Sequence, residues 1–104
     1  MQRDKGLLGE REVNHVFAAF GWTMRGLEGM GDHVAMRPRS LDRSPGFNIL
    51  HVEVKRQERL LLPKWIAQAE AEAPPGTIPV VVYRRSREPW RIDMDLAQFL
   101  KVVG

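Results

Sequence analysis

The chain has 104 residues, enough for one domain that can bury a core without covalent staples. It contains no cysteine, which excludes disulfides and thiolate metal sites. The formal charge is +3, and arginine supplies twelve of the sixteen basic residues; its planar fork of donors suits phosphate, so nucleic acid is the expected partner. The first residues are charged and no apolar run is long enough to span a bilayer, so a soluble intracellular protein with no membrane partner is expected.

Residues 4–20 read as a first helix, with Val13, Val16, Phe17 and Phe20 as its apolar stripe and Gly21 ending it. Gly6 and Gly9 fall on the same stripe, where close approach to another backbone would explain them. Glu10 lies at the stripe's edge beside Phe17, Glu12 flanks the other side, and Arg11 points away. Trp22 to Met24 reads as a short strand. A glycine-rich loop follows, Asp32 stands at its end, and His33 to Arg37 alternates as a strand.

Phe47 to Lys55 is the central strand. Leu50, Val52 and Val54 share one face with Asn48, and His51, Glu53 and Lys55 share the other, which is expected to look outward. Pro63 opens a second helix over 63–73, whose apolar side is Trp65, Ile66, Ala69 and Ala73, with Gln68 beside them. Leu60-Leu61-Leu62 is either an exposed patch or the buried entry to that helix.

Pro79 to Tyr83 is a continuous apolar run, the pattern of a strand covered on both faces. A basic turn over Arg84–Pro89 leads to a returning strand at Trp90–Met94. Asp95 then caps a last helix through Val103, with Leu96, Phe99, Leu100 and Val103 on one side. The order is α-β-β-β-α-β-β-α. The helix between Lys55 and Val80 is a crossover joining parallel strands, and the whole reads as one α/β domain over 1–104.

Glu10, Asp32, Glu53 and Lys55 all stand at ends of elements facing one sheet edge, a set suited to metal-assisted phosphodiester hydrolysis. Hard cations take oxygen ligands, and Asp32 and Glu53 could hold one between adjacent strand ends, with Glu10 as a further ligand. Lys55 would orient the attacking water or stabilise charge on the phosphorane. Lys5 and Arg11 on the first helix, Arg37 after the second strand, and Arg84, Arg85 and Arg87 in the basic turn are candidate DNA contacts. His51 shares the face of Glu53 and either acts near the metal or, the favoured reading, is a packed strand histidine; His15 and His33 have no partners at ligand spacing; Trp90 either stacks on a base or, the favoured reading, is core.

Asp32, twenty intervening residues and then Glu53-Val54-Lys55 resemble the bipartite signature of the PD-(D/E)XK nucleases, with Gly31 where the proline is expected. The opening "KGLLGERE" is similar to the first helix of archaeal-type Holliday junction resolvases, and Glu10 is the residue that likeness carries over. "WIAQAE" and "PVVVYRRSREPW" resemble small phage-encoded resolvase-like nucleases and virus-type replication-repair nucleases; in that superfamily a glutamine after E-x-K borders the site, which adds Gln68. The resemblance implies a restriction-endonuclease-like αβββαβ core with a mixed sheet flanked by helices. It also implies Mg²⁺ or Mn²⁺ dependence, endonucleolytic cleavage of DNA and a homodimer. Gly29, Met30 and Gly31 occupy the loop where archaeal resolvases carry a serine, so a junction preference does not follow. The competing reading is a nucleic-acid-binding module with no catalysis, in which Glu53 and Lys55 form a surface ion pair.

Overall fold

Three consecutive valines, 80 to 82, fix how the layers stack, because all three are buried although their side chains alternate in direction. A strand of this kind needs cover on both faces. The computed structural model supplies it and describes residues 2–26, 33–38 and 47–103, with side chains of residues 2–8, Pro38 and Phe47 excepted. Its elements are α1 (Gln2–Ala19), β1 (Thr23–Gly26), β2 (His33–Pro38), β3 (Phe47–Arg56), α2 (Leu62–Glu72), β4 (Ile78–Arg84), β5 (Arg91–Asp93) and α3 (Leu96–Val103). This is the expected order.

The strands form one mixed sheet in the order β1-β2-β3-β4-β5. β3 and β4 are parallel and joined through α2, while the other neighbours are antiparallel. Val80 and Val82 join Val13, Met24, Ala35, Leu50 and Val52 in a core on the α1 side. Val81 joins Trp65 and Ala69 on the α2 side. Leu61 and Leu62 pack against this second core, so the leucine run is the buried entry to α2, with Leu60 alone well exposed.

α1 ends in a Schellman turn. Gly21 takes φ +85°, its N–H donates to the Ala18 carbonyl at 3.2 Å, and the Trp22 N–H donates to the Phe17 carbonyl at 3.0 Å. The Phe17 and Trp22 rings meet edge to face, 5.9 Å apart, supplying the apolar contact that accompanies this turn. The expected stripe of α1 is buried only in part. Val13 is enclosed and Phe17 packs against the core, but Val16 and Phe20 are exposed.

Glu12 pins α1 to the far side of the sheet. Its Oε1 accepts from Arg84 Nη1 at 2.9 Å and from Trp90 Nε1 at 3.1 Å, while the Arg84 guanidinium lies over the Trp90 ring. Gly9 faces the same place: a Cβ there would sit 3.4 Å from the Trp90 ring and 3.5 Å from Arg56 Cβ. One methyl fits at the contact limit and improves helix propensity, whereas a branched side chain does not fit. Gly9→Ala is therefore expected to leave the denaturation midpoint unchanged or raised, and Gly9→Leu to destabilise by about 1–3 kcal/mol in urea titrations.

Candidate metal and nuclease site

β3 delivers the polar residues. Its register with β4 places His51 beside Pro79, Glu53 beside Val81 and Lys55 beside Tyr83. Val81 belongs to the α2-side core, so this row of β3 lies beneath α2. The expectation of an outward-looking face is corrected here. His51 is 1% exposed and Glu53 is 2% exposed, and only Lys55, near the strand's end, is half-exposed. An exposed Glu53–Lys55 surface pair is excluded by that burial.

α2 provides what covers them. Trp65, Ala69 and Glu72 fall at i, i+4 and i+7, one face of a helix, so anchoring Trp65 and Ala69 on Val81 directs Glu72 toward the same sheet face. Gln68 lies one turn before Glu72 and its Nε2 donates to Glu72 Oε1 at 3.3 Å. His51 Nε2 lies 3.9 Å from Glu53 Oε1. One ligand atom each from His51, Glu53 and Glu72 fall within 4.8 Å of one another.

The electrostatics follow from that crowding. The hydrogen bond with Glu53 holds the Glu72 carboxyl below its ordinary value, with help from Gln68 and from the charges of His51 and Lys55; partial burial opposes them.

The remaining candidates distribute as follows. Glu10 is joined to His33, Oε1 to Nε2 at 3.4 Å. His33 pairs in register with Val52 and so points to the α1 side, whereas Glu53 points to the α2 side. The structure thus brings together Glu53, His51, Gln68 and Glu72, with Lys55 close enough to act on Glu72, and leaves Glu10 with His33. Asp32 lies outside the described residues, as do the Lys5 side chain, Gly29, Met30 and Gly31. Arg84 is committed to Glu12 and Trp90, and Arg85 Nε to Glu88 Oε2 at 2.8 Å. Arg11, Arg37 and Arg87 are exposed.

Glu72 is the member that sequence reasoning missed, and its signal was the i+7 spacing from Trp65. His51 was read as a packed histidine; it is packed, and against the two carboxylates.

No family model matches this chain, and no curated protein matches it significantly. Among solved structures it is similar to Hjc of Archaeoglobus fulgidus, a Holliday junction resolvase from an archaeal hyperthermophile. The identity is 21%, the TM-score is 0.60, and the match covers 86% of this chain and 72% of that one. The chain therefore has the mixed-sheet α/β fold of that resolvase, the restriction-endonuclease-like fold that the sequence resemblance implies.

A lowered carboxyl value in the folded state stabilises it above the unfolded value, and that contribution disappears as pH falls through the folded value. Glu72→Gln should therefore differ most from the wild type in urea midpoint above its ordinary value of 4.5, and the difference should shrink on acidification. Midpoints measured from neutral pH to about pH 3 check this, and a gap that widens toward acid would contradict it.

Proposed function

We propose that the chain is a single-domain, divalent-metal-dependent endodeoxyribonuclease that hydrolyses phosphodiester bonds in DNA, branched DNA included, in recombination or repair. The observation that carries this reading is the burial of Glu53 on the outgoing end of β3, against His51 and Glu72, in a chain with the fold of a Holliday junction resolvase. A carboxylate is costly to enclose, and a site that holds one beside two further ligating groups is suited to a cation.

The donor chemistry fits such an ion. Two carboxylates suit Mg²⁺ or Mn²⁺, and the His51 nitrogen extends the range toward Mn²⁺. Glu53 would hold the ion together with Asp32, which precedes His33 in sequence just as Glu53 follows Val52, the register partner of His33. Glu10 is retained as an outer ligand reached through water. When bound, the ion supplies charge neutralisation at the scissile phosphate and makes a nearby water more acidic.

The chain's own groups do the rest. Lys55, half-exposed near the end of the same strand, donates to the phosphate oxygen on which charge builds and holds the incoming water in line. Gln68 fixes Glu72 by donating to it, and Glu72 fixes Glu53. Arg11, Arg37 and Arg87, all exposed, are available for phosphate contacts along the duplex, with Lys5 as a further contact, while Arg84 and Arg85 would contribute only by giving up Glu12 and Glu88. Two copies acting together would suit the paired strands of a junction.

Incubating the protein with four-way junctions, nicked duplex and linear duplex in Mg²⁺ or Mn²⁺ should give cut products that disappear with a chelator. Glu53→Gln and Lys55→Ala should each lower the single-turnover cleavage rate by at least about 100-fold while DNA binding persists. Salt-sensitive binding with no product at any metal concentration would establish the non-catalytic module instead.

A further inference from the structure

Half of the chain's aromatic residues converge on one groove. Phe17, Phe20, Trp22 and Trp90 line an open cleft of about 260 Å³ between the C-terminal end of α1 and β5, with Val82 and Ile92 beneath them. Val82 belongs to the α1-side core and Ile92 pairs with it in register, so the groove lies on the α1 face of the sheet, opposite Glu53. Aromatic rings are the largest apolar side chains a small domain has to bury. Here Phe20 is left 72% exposed and Ile92 47% exposed.

The rings are fixed by the fold. Trp90 Nε1 donates to Glu12, and the Arg84 guanidinium lies over the Trp90 ring, 5.6 Å from its centroid. Trp22 meets Phe17 edge to face. The charge around the groove has one sign. Arg91 lines it and is exposed, Arg87 is exposed in the turn just before Trp90, and no acidic side chain lines it among the described residues. A flat apolar interior with a cationic rim suits a planar ring joined to an anion, which is the make-up of a nucleotide. A purely apolar segment would leave Arg91 unused, and paired duplex DNA keeps its bases stacked inside the helix.

We infer that the groove takes an unpaired base of single-stranded DNA, stacked against Phe20 and its aromatic neighbours, with the attached phosphate held by Arg91. The position of the groove supports that occupant. A Cβ at Gly9 would touch both Trp90 and Arg56, and Arg56 follows Lys55 and pairs with Arg84. The Trp90 end of the groove therefore adjoins the outgoing end of β3. A strand left unpaired beside Lys55 has a path past Arg84 and Trp90 to the aromatic rings. The inference rests on the proposed function only for the kind of strand that reaches the groove.

Fluorescence anisotropy with the full chain in chelator, where no metal-dependent cleavage can intervene, tests it. The probes are an oligothymidylate of about twelve nucleotides and an abasic strand of the same length and charge. The wild type should bind the oligothymidylate at least about tenfold more tightly than the abasic strand, with quenching of tryptophan emission by the first alone. Phe20→Ala should cut that preference at least about threefold with the far-ultraviolet spectrum unchanged, and Phe20→Tyr should keep it. Arg91→Ala should weaken both strands alike. Equal affinity of the wild type for the two strands, or a preference that Phe20→Ala leaves intact, would overturn the inference. Base preference in a chain that never cuts DNA would contradict the nuclease reading and leave this inference standing, and cutting without base preference would do the reverse.

Discussion

The burial of the Glu53 carboxyl between β3 and α2 is the constraint on which the rest of the molecule depends. An enclosed carboxylate without partners would be lost to protonation or would draw water into the core. Here it lies against His51 from its own strand and Glu72 from the covering helix, so a cluster of polar atoms sits within an apolar layer. That cluster is tolerable only if α2 keeps one position on the sheet. Trp65 and Ala69 pack on Val81 for that purpose, and the Trp65 and Tyr83 rings lie 6.2 Å apart along the same face. Apolar contact sets the helix; the helix then sets Glu72.

The opposite face of the sheet has a different task. Glu12 accepts from both Arg84 and Trp90, so α1 is tied to the end of β4 and to the approach to β5. Glu58 ties the segment after β3 to the same turn by accepting from the Ser86 backbone N–H at 3.0 Å and from the Ser86 hydroxyl. These bonds hold the outgoing ends of β3 and β4 together, beside Lys55.

Much of this was legible in the chain. Alternation in β3 separated Val52 from Glu53, and the valine run of β4 announced a strand covered on both faces. What was not legible was the identity of each cover. Glu72 drew no notice beside the apolar side of α2 at Trp65, Ile66, Ala69 and Ala73, because whether a polar residue at the edge of such a stripe meets water or another carboxyl group depends on what the opposing strand carries. Glu10 looked convergent with Glu53 because both stand near element ends. The β2–β3 register turns His33 toward α1, and there it meets Glu10, a contact that the sequence does not announce. The periodicity of α3 gathered Leu96, Phe99, Leu100 and Val103 on one side, but it cannot tell a stripe that faces the core from one that faces solvent, as this one does.

Divalent-ion binding tests most directly whether Glu53 is held in place as a ligand. Manganese titration followed by electron paramagnetic resonance reports it without reference to cleavage. The wild type should bind Mn²⁺ saturably, and Glu53→Gln should weaken that binding by at least about tenfold with the fold retained. Equal binding by the wild type and Glu53→Gln, or no binding by either, would contradict the assignment of Glu53 as a metal ligand.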